Sequence, residues 1–112
     1  MTNYDFGEIV LVPFPFTDQT TTKKRPAVVV SSNFYNALLP DIVLMAVTGQ
    51  IKKPLRDGEL EVIEWQKAGL LKTSAIKPIF TTIEKNLILR KLGTLESSDR
   101  ENLRNNRQKL IG

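Results

Sequence analysis

The sequence predicts a mainly β fold closed by one C-terminal helix, a small barrel or half-open roll rather than a sandwich. Three observations carry this expectation. Short runs of strand-forming residues recur from Glu8 to Leu92, separated by Gly, Pro and Asp-Gly turn signals. Only the stretch from Asp99 to about Leu110 has a helical start signal, with Ser98 and Glu101 at capping-box spacing. The chain has 112 residues, room for a single core, and about five or six short strands are too few for a sandwich. One domain spanning residues 1–112 is expected, without linker or repeat.

Composition narrows the chemistry. Hydrophobic residues make up 41% and charged residues 25%, as in ordinary globular chains, so a largely disordered chain is not expected. The net charge of +4, from 16 Lys+Arg against 12 Asp+Glu, leans toward an acidic partner. Cysteine and histidine are both absent, which excludes disulfides, thiolate zinc sites, cysteine nucleophiles and imidazole acid–base pairs. MTNYDFGEI shows no basic or apolar leader pattern and no apolar run approaches membrane-spanning length, so a cytoplasmic protein is expected.

Taken in order, Tyr4 and Phe6 belong to a short leader that packs as a lid, and Gly7 turns the chain into a first strand, Glu8 to Val12. Pro13 and Pro15 end it, since neither donates to a ladder. A polar loop follows, from Phe16 and Thr17 through three threonines to Lys23, Lys24 and Arg25. Pro26 then opens a second strand running to Ser31, apolar on both faces. Asn33 to Leu39 suits a single helical turn, and Asp41 to Thr48 a third strand, again without a polar face. Two such strands in so small a chain need a cover for the second face, either a helix or a second copy of the chain; this motivates a dimer.

The polar segment from Gly49 closes at Asp57-Gly58. Glu59 to Ile63 alternates, with Leu60 and Val62 on one face and Glu59 and Glu61 on the other, as a half-exposed strand does. Trp65 to Leu71 turns around Gly69, with Trp65 as a packing anchor. Ser74 to Ile83 is the next strand, where Pro78 requires an edge or a bulge. Asn86 to Leu92 is one more, ending at Gly93. The terminal helix has a thin apolar stripe of Leu103, Leu110 and Ile111, so light packing is expected, with Arg100, Arg104 and Arg107 as a solvated face paired locally by Glu101.

The residues GEIVLVPFPFTD, KRPAVVVSS, Thr48-Gly49-Gln50, GLLKTSAIKPIFTTIEK and LRKLGTL, in that order and spacing, resemble the MazF/PemK family of toxin–antitoxin ribonucleases over nearly the whole chain. The resemblance implies an SH3-like barrel of the CcdB-type plasmid maintenance toxin fold, a homodimer, and cofactor-free cleavage of single-stranded RNA at short sequences. A cognate acidic antitoxin would bind across the same groove. The family's arginine falls on Arg25 and its threonine on Thr48, the implied catalytic pair. A further basic residue that some members use falls nearest Lys77. A carboxylate that some place just beyond it has no match in Pro78, Ile79 or Phe80.

These residues suit that chemistry. RNA is cut without metal when its own 2′-hydroxyl attacks the adjacent phosphorus, and the protein's tasks are alignment and stabilisation of the added charge. A guanidinium offers a fixed fork of donors to phosphate oxygens but does not act as a base near neutral pH, which gives Arg25 the charge-stabilising role and leaves the proton acceptor unassigned. Thr48 has a hydroxyl to hold a phosphate oxygen or the attacking group. Candidate substrate contacts are Phe16, Thr17, Lys23, Lys24, Ser31, Gln50, Lys52 and Lys77. Plainer readings stand beside several: Ser31 and Ser32 as strand terminators, and Lys52, Lys53 and Arg56 as a wet loop. Two further readings remain open, a gyrase-poisoning toxin of the same fold and a non-catalytic module for RNA or an acidic peptide.

Overall fold

The computed structural model describes residues 3–13 and 24–112. Within them the chain runs β1 (Glu8–Pro13), β2 (Lys24–Val29), α1 (Asn33–Leu38), β3 (Asp41–Thr48), β4 (Leu60–Val62), β5 (Ser74–Glu84), a 3-10 turn (Lys85–Leu87), β6 (Arg90–Thr94) and α2 (Ser97–Ile111). One antiparallel sheet in the order β4-β5-β3-β2-β1-β6 curls into a half-barrel, with α2 against it. The mainly β fold with a C-terminal helix is as expected from the sequence.

Alternation divides the apolar side chains between the two faces of the sheet. Ile9, Val28, Met45, Val47 and Ile76 fill one core together with Leu95 and Leu103. Val10, Val12, Ala27, Val29, Leu44 and Ala46 fill a second, which Tyr4, Ile83 and Ile88 complete. The unbroken apolar strands β2 and β3 therefore bury both faces within one chain. A second copy is not needed to cover them, which removes the sequence-based reason for a dimer: the curl brings the far half of β5 and the leader over the second face.

Pro78 produces a bulge. Met45 pairs with Phe80 and Val47 with Ile76, so Lys77, Pro78 and Ile79 span a stretch of β5 that has only Ala46 across from it. Elsewhere the strand bounds differ from expectation. β2 begins at Lys24, with Pro26 inside it opposite Leu11, because an extended ladder accommodates the proline ring and loses a single donor. Asn86 and Leu87 belong to the 3-10 turn, so β6 starts later than expected and runs through Gly93. Gly93 is required there: a Cβ on it would lie 2.3 Å from the Ala68 carbonyl oxygen, and one on Gly69 only 2.1 Å from that of Leu92. This close approach fastens the turn after β4 to β6.

α2 starts at Ser97 with Glu96 as its N-cap, and no side chain caps it; Ser98 lies inside the helix, so the capping box is not formed. Its apolar anchor is Leu103, fully buried, whereas Ile111 is 62% exposed. Polar tethers supply the remaining attachment. The Asp99 carboxylate, 2% exposed, accepts the Ile63 and Glu64 N–H groups at 3.1 and 2.8 Å. Arg100 donates to the Leu95 carbonyl, Asn106 to that of Gly58 and Arg107 to that of Val30. Arg104 and Arg107 lie 5.0 and 4.8 Å from the centre of the Phe6 ring. The basic face expected to be solvated is thus partly a clamp on the leader, while the Arg104–Glu101 pair is present at 2.6 Å.

Candidate active site

Strands β2 and β3 bring Arg25 and Thr48 to the edge of one cavity. β2 and β3 pair Val29 with Leu44, Val28 with Met45 and Ala27 with Ala46. The ladder ends there, and the two strands run on to Arg25 and Thr48, which border one cavity. On the outer sides, Val12 flanks Arg25 and Ala75 flanks Thr48. Both residues are half-buried, and the Arg25 Nε is shielded from solvent. Arg25 thus stands at the start of the second strand, where the resemblance put it.

Thr48 closes its strand with a local turn: its Oγ1 accepts the Gln50 N–H at 3.1 Å. That bond uses an acceptor site of the hydroxyl and leaves its hydrogen to donate elsewhere. Beside the pair opens a cavity of about 460 Å³. Its walls come from β1 (Leu11), β2 (Lys24, Arg25, Pro26), the end of β3 (Val47 to Gln50), the turn before β5 (Gly69 to Lys72, and Ser74) and β6 (Arg90, Leu92). Four cations line it and, among the described residues, no carboxylate does. An apolar floor with a cationic rim suits a ligand that is flat and apolar in one part and anionic in another.

The family model for the PemK-like, MazF-like toxins of type II toxin–antitoxin systems matches residues 5–111. The chain belongs to this family of toxins. A search of curated proteins finds no match. Among solved structures, an endoribonuclease in complex with its cognate antitoxin from a mycobacterial species is 15% identical, with TM-score 0.75, over 100% of this chain and 96% of the other. MazF from Deinococcus radiodurans is 19% identical, with TM-score 0.75, over 100% and 99%. The MazE–MazF complex from the same organism is 18% identical, with TM-score 0.74, over 100% and 98%. At these identities the likeness is one of fold, and that fold is the expected SH3-like half-barrel.

Of the residues singled out in this MazF-like toxin, the structure brings Lys24, Arg25, Thr48 and Gln50 to one cavity. Phe16, Thr17 and Lys23 lie outside the described residues. Ser31, Lys52 and Lys77 are not in the lining. Ser31 is buried, donating its hydroxyl to the Asn36 side-chain oxygen and accepting the Val43 N–H at 3.0 Å. Asn36 in turn donates to the Tyr4 carbonyl at 2.8 Å, so Ser31 serves the leader's attachment rather than the cavity. Lys77 falls in the bulge of β5, and Lys52 is exposed on the loop before β4. Sequence reasoning missed Lys72, Ser74 and Arg90. All three stand in the quoted motifs GLLKTSAIKP and LRKLGTL, yet only the folded chain, with Gly69 packed on Gly93, brings these segments to one cavity.

Proposed function

We propose that this MazF-like toxin is an endoribonuclease that cuts single-stranded RNA, messenger RNA included, at short sequences and thereby halts translation. The observation that carries the reading is that Arg25 and Thr48 line one cavity together with three further cations. In the reaction a bond forms between O2′ and phosphorus while the bond from phosphorus to O5′ breaks. One proton leaves the 2′-hydroxyl and one arrives on O5′, giving a 2′,3′-cyclic phosphate and a 5′-hydroxyl. The nucleophile belongs to the substrate, so the step consumes neither water nor cofactor. Arg25 stabilises the phosphorane through its fork of donors, and Thr48 donates its hydroxyl hydrogen to a non-bridging oxygen. Lys24 and Gln50 border the approaching strand, and the segment with Phe16, Thr17 and Lys23 supplies base contacts.

The same reading makes the protein a cytoplasmic homodimer restrained by an acidic antitoxin whose carboxylates occupy the cationic cavity. Family membership supports both partners. Incubation of the purified protein with labelled single-stranded RNA in EDTA tests the proposal. Site-selective cutting with cyclic phosphate and 5′-hydroxyl ends is expected. Uncut RNA with inhibited gyrase would replace it with the gyrase-poisoning reading, and uncut but bound RNA with the non-catalytic module.

A further inference from the structure

The cavity holds more positive charge than its proposed catalytic pair requires. Among the described residues four cations meet carboxylates, Lys53 with Glu61, Lys67 with Glu64, Lys91 with Glu8 and Arg104 with Glu101, and none of the four lines the cavity. Lys24, Lys72 and Arg90 take part in none of these pairs, although all three border one cavity. Gathering like charges in one cavity is unfavourable in the free protein and becomes favourable when a polyanion enters.

Lys72, exposed at its surface, is the cation that lies nearest the turn after Thr48. Its side chain lies across Gly49: a Cβ built there would be 2.1 Å from the lysine Cε and 3.1 Å from its Nζ. The ammonium is thereby brought over the turn that follows Thr48. Two features permit this placement. Gly49 leaves the space open, and Ser74, 3% exposed, donates its hydroxyl to the Lys72 carbonyl at 2.8 Å, setting the chain direction into β5. The preceding Gly69 is pinned against β6, so the whole segment has a fixed base.

We infer that Lys72 is a further catalytic cation of this site, gripping the scissile phosphate from the side opposite Arg25. The inference rests on the endoribonuclease reading. An ammonium is a compact point charge without a fork, suited to the second non-bridging oxygen once the guanidinium has taken the first. Gly49 and Ser74 act as positioning residues. The phosphorane carries one more negative charge than the ground-state diester, so a cation at this place acts mainly on turnover.

Steady-state cleavage of a single-stranded oligoribonucleotide by the full chain tests this, with Lys72→Gln, Lys72→Arg and Gly49→Ala compared with the parent. Lys72→Gln is expected to lower kcat at least about tenfold with a smaller change in KM, and Lys72→Arg to recover most of it. The slope of log kcat/KM against log salt should become shallower by about 0.7, the value for one single-strand phosphate contact. Gly49→Ala should behave like Lys72→Gln at an unchanged melting temperature, since the added methyl displaces only the end of a flexible side chain. Lys72→Gln cutting within twofold of the parent would overturn the inference, as would Gly49→Ala cutting like the parent.

A 2′-O-methyl oligonucleotide separates this inference from the reading it rests on. If the parent cuts no RNA, the endoribonuclease reading fails, and binding of this uncleavable strand still reports on Lys72. Weaker binding by Lys72→Gln, with a shallower salt slope, would support a phosphate grip; equal binding would overturn it. Loss of acidic-peptide binding alone, with RNA cleavage intact, would also overturn it and make Lys72 a partner contact.

Discussion

Arg25 and Asp99 show how burial and register give single side chains their weight. Arg25 is half-buried on a central strand and borders the cavity that Thr48 also lines. Replacing it with alanine should lower kcat for RNA cleavage by roughly a hundredfold or more, about 3 kcal/mol of transition-state stabilisation, as expected for a lost oxyanion-type donor. Rapid-quench assays on the pure variant check this; parental rates would remove Arg25 from the mechanism. Asp99 works on stability instead. Its carboxylate, buried under α2, is the acceptor for two N–H groups at the end of β4, and Asp99→Ala leaves both without it. Urea unfolding should show a loss of about 2–3 kcal/mol with an unchanged slope.

Among the elements, the segment from Trp65 to Lys72 matters most for function, because it forms one wall of the cavity while having no regular structure of its own. The mutual approach of Gly69 and Gly93 holds it in place. Gly93→Ala would drive a methyl into the Ala68 carbonyl, and a cost on the order of 3 kcal/mol is expected, together with lost cleavage as the wall shifts. Gly112→Ala, with nothing within 4 Å of its added methyl, should cost no more than about 1 kcal/mol. Thermal melts of the two variants side by side decide the matter, and equal melting temperatures would contradict the packing argument. α2 illustrates the same point from another direction. Its thin apolar stripe was legible in the sequence, but its attachment through Asp99, Arg100, Asn106 and Arg107 to distant backbone groups was not, because such tethers depend on which turns lie beneath the helix.

For the whole molecule, filling both sheet faces within one chain separates folding from assembly. The proposed homodimer should dissociate on dilution without unfolding. Sedimentation at micromolar concentration is expected to show dimer, while the fluorescence of Trp65 and the far-ultraviolet circular dichroism stay native at nanomolar concentration. Monomer at all concentrations would remove the dimer from the proposal, and unfolding on dilution would contradict the claim that each core is complete. No helix among the described residues is long and apolar enough to cross a membrane.

Alternation and turn signals determined the fold class, the span of β3, the need for an edge or a bulge at Pro78 and the turn at Asp57-Gly58, because each depends on neighbours in sequence. The resemblance carried by short motifs pointed to Arg25 and Thr48 as well. Tertiary structure alone decided that Arg25 and Thr48 line one cavity, that Ser31 belongs to the leader's attachment, and that Lys72 and Arg90 reach the cavity. The physical reason is common to these cases. Strand register, a bulge and a glycine-to-backbone contact bring together residues far apart in the chain, and the steric and hydrogen-bonding conditions that select those arrangements exist only once the sheet has curled.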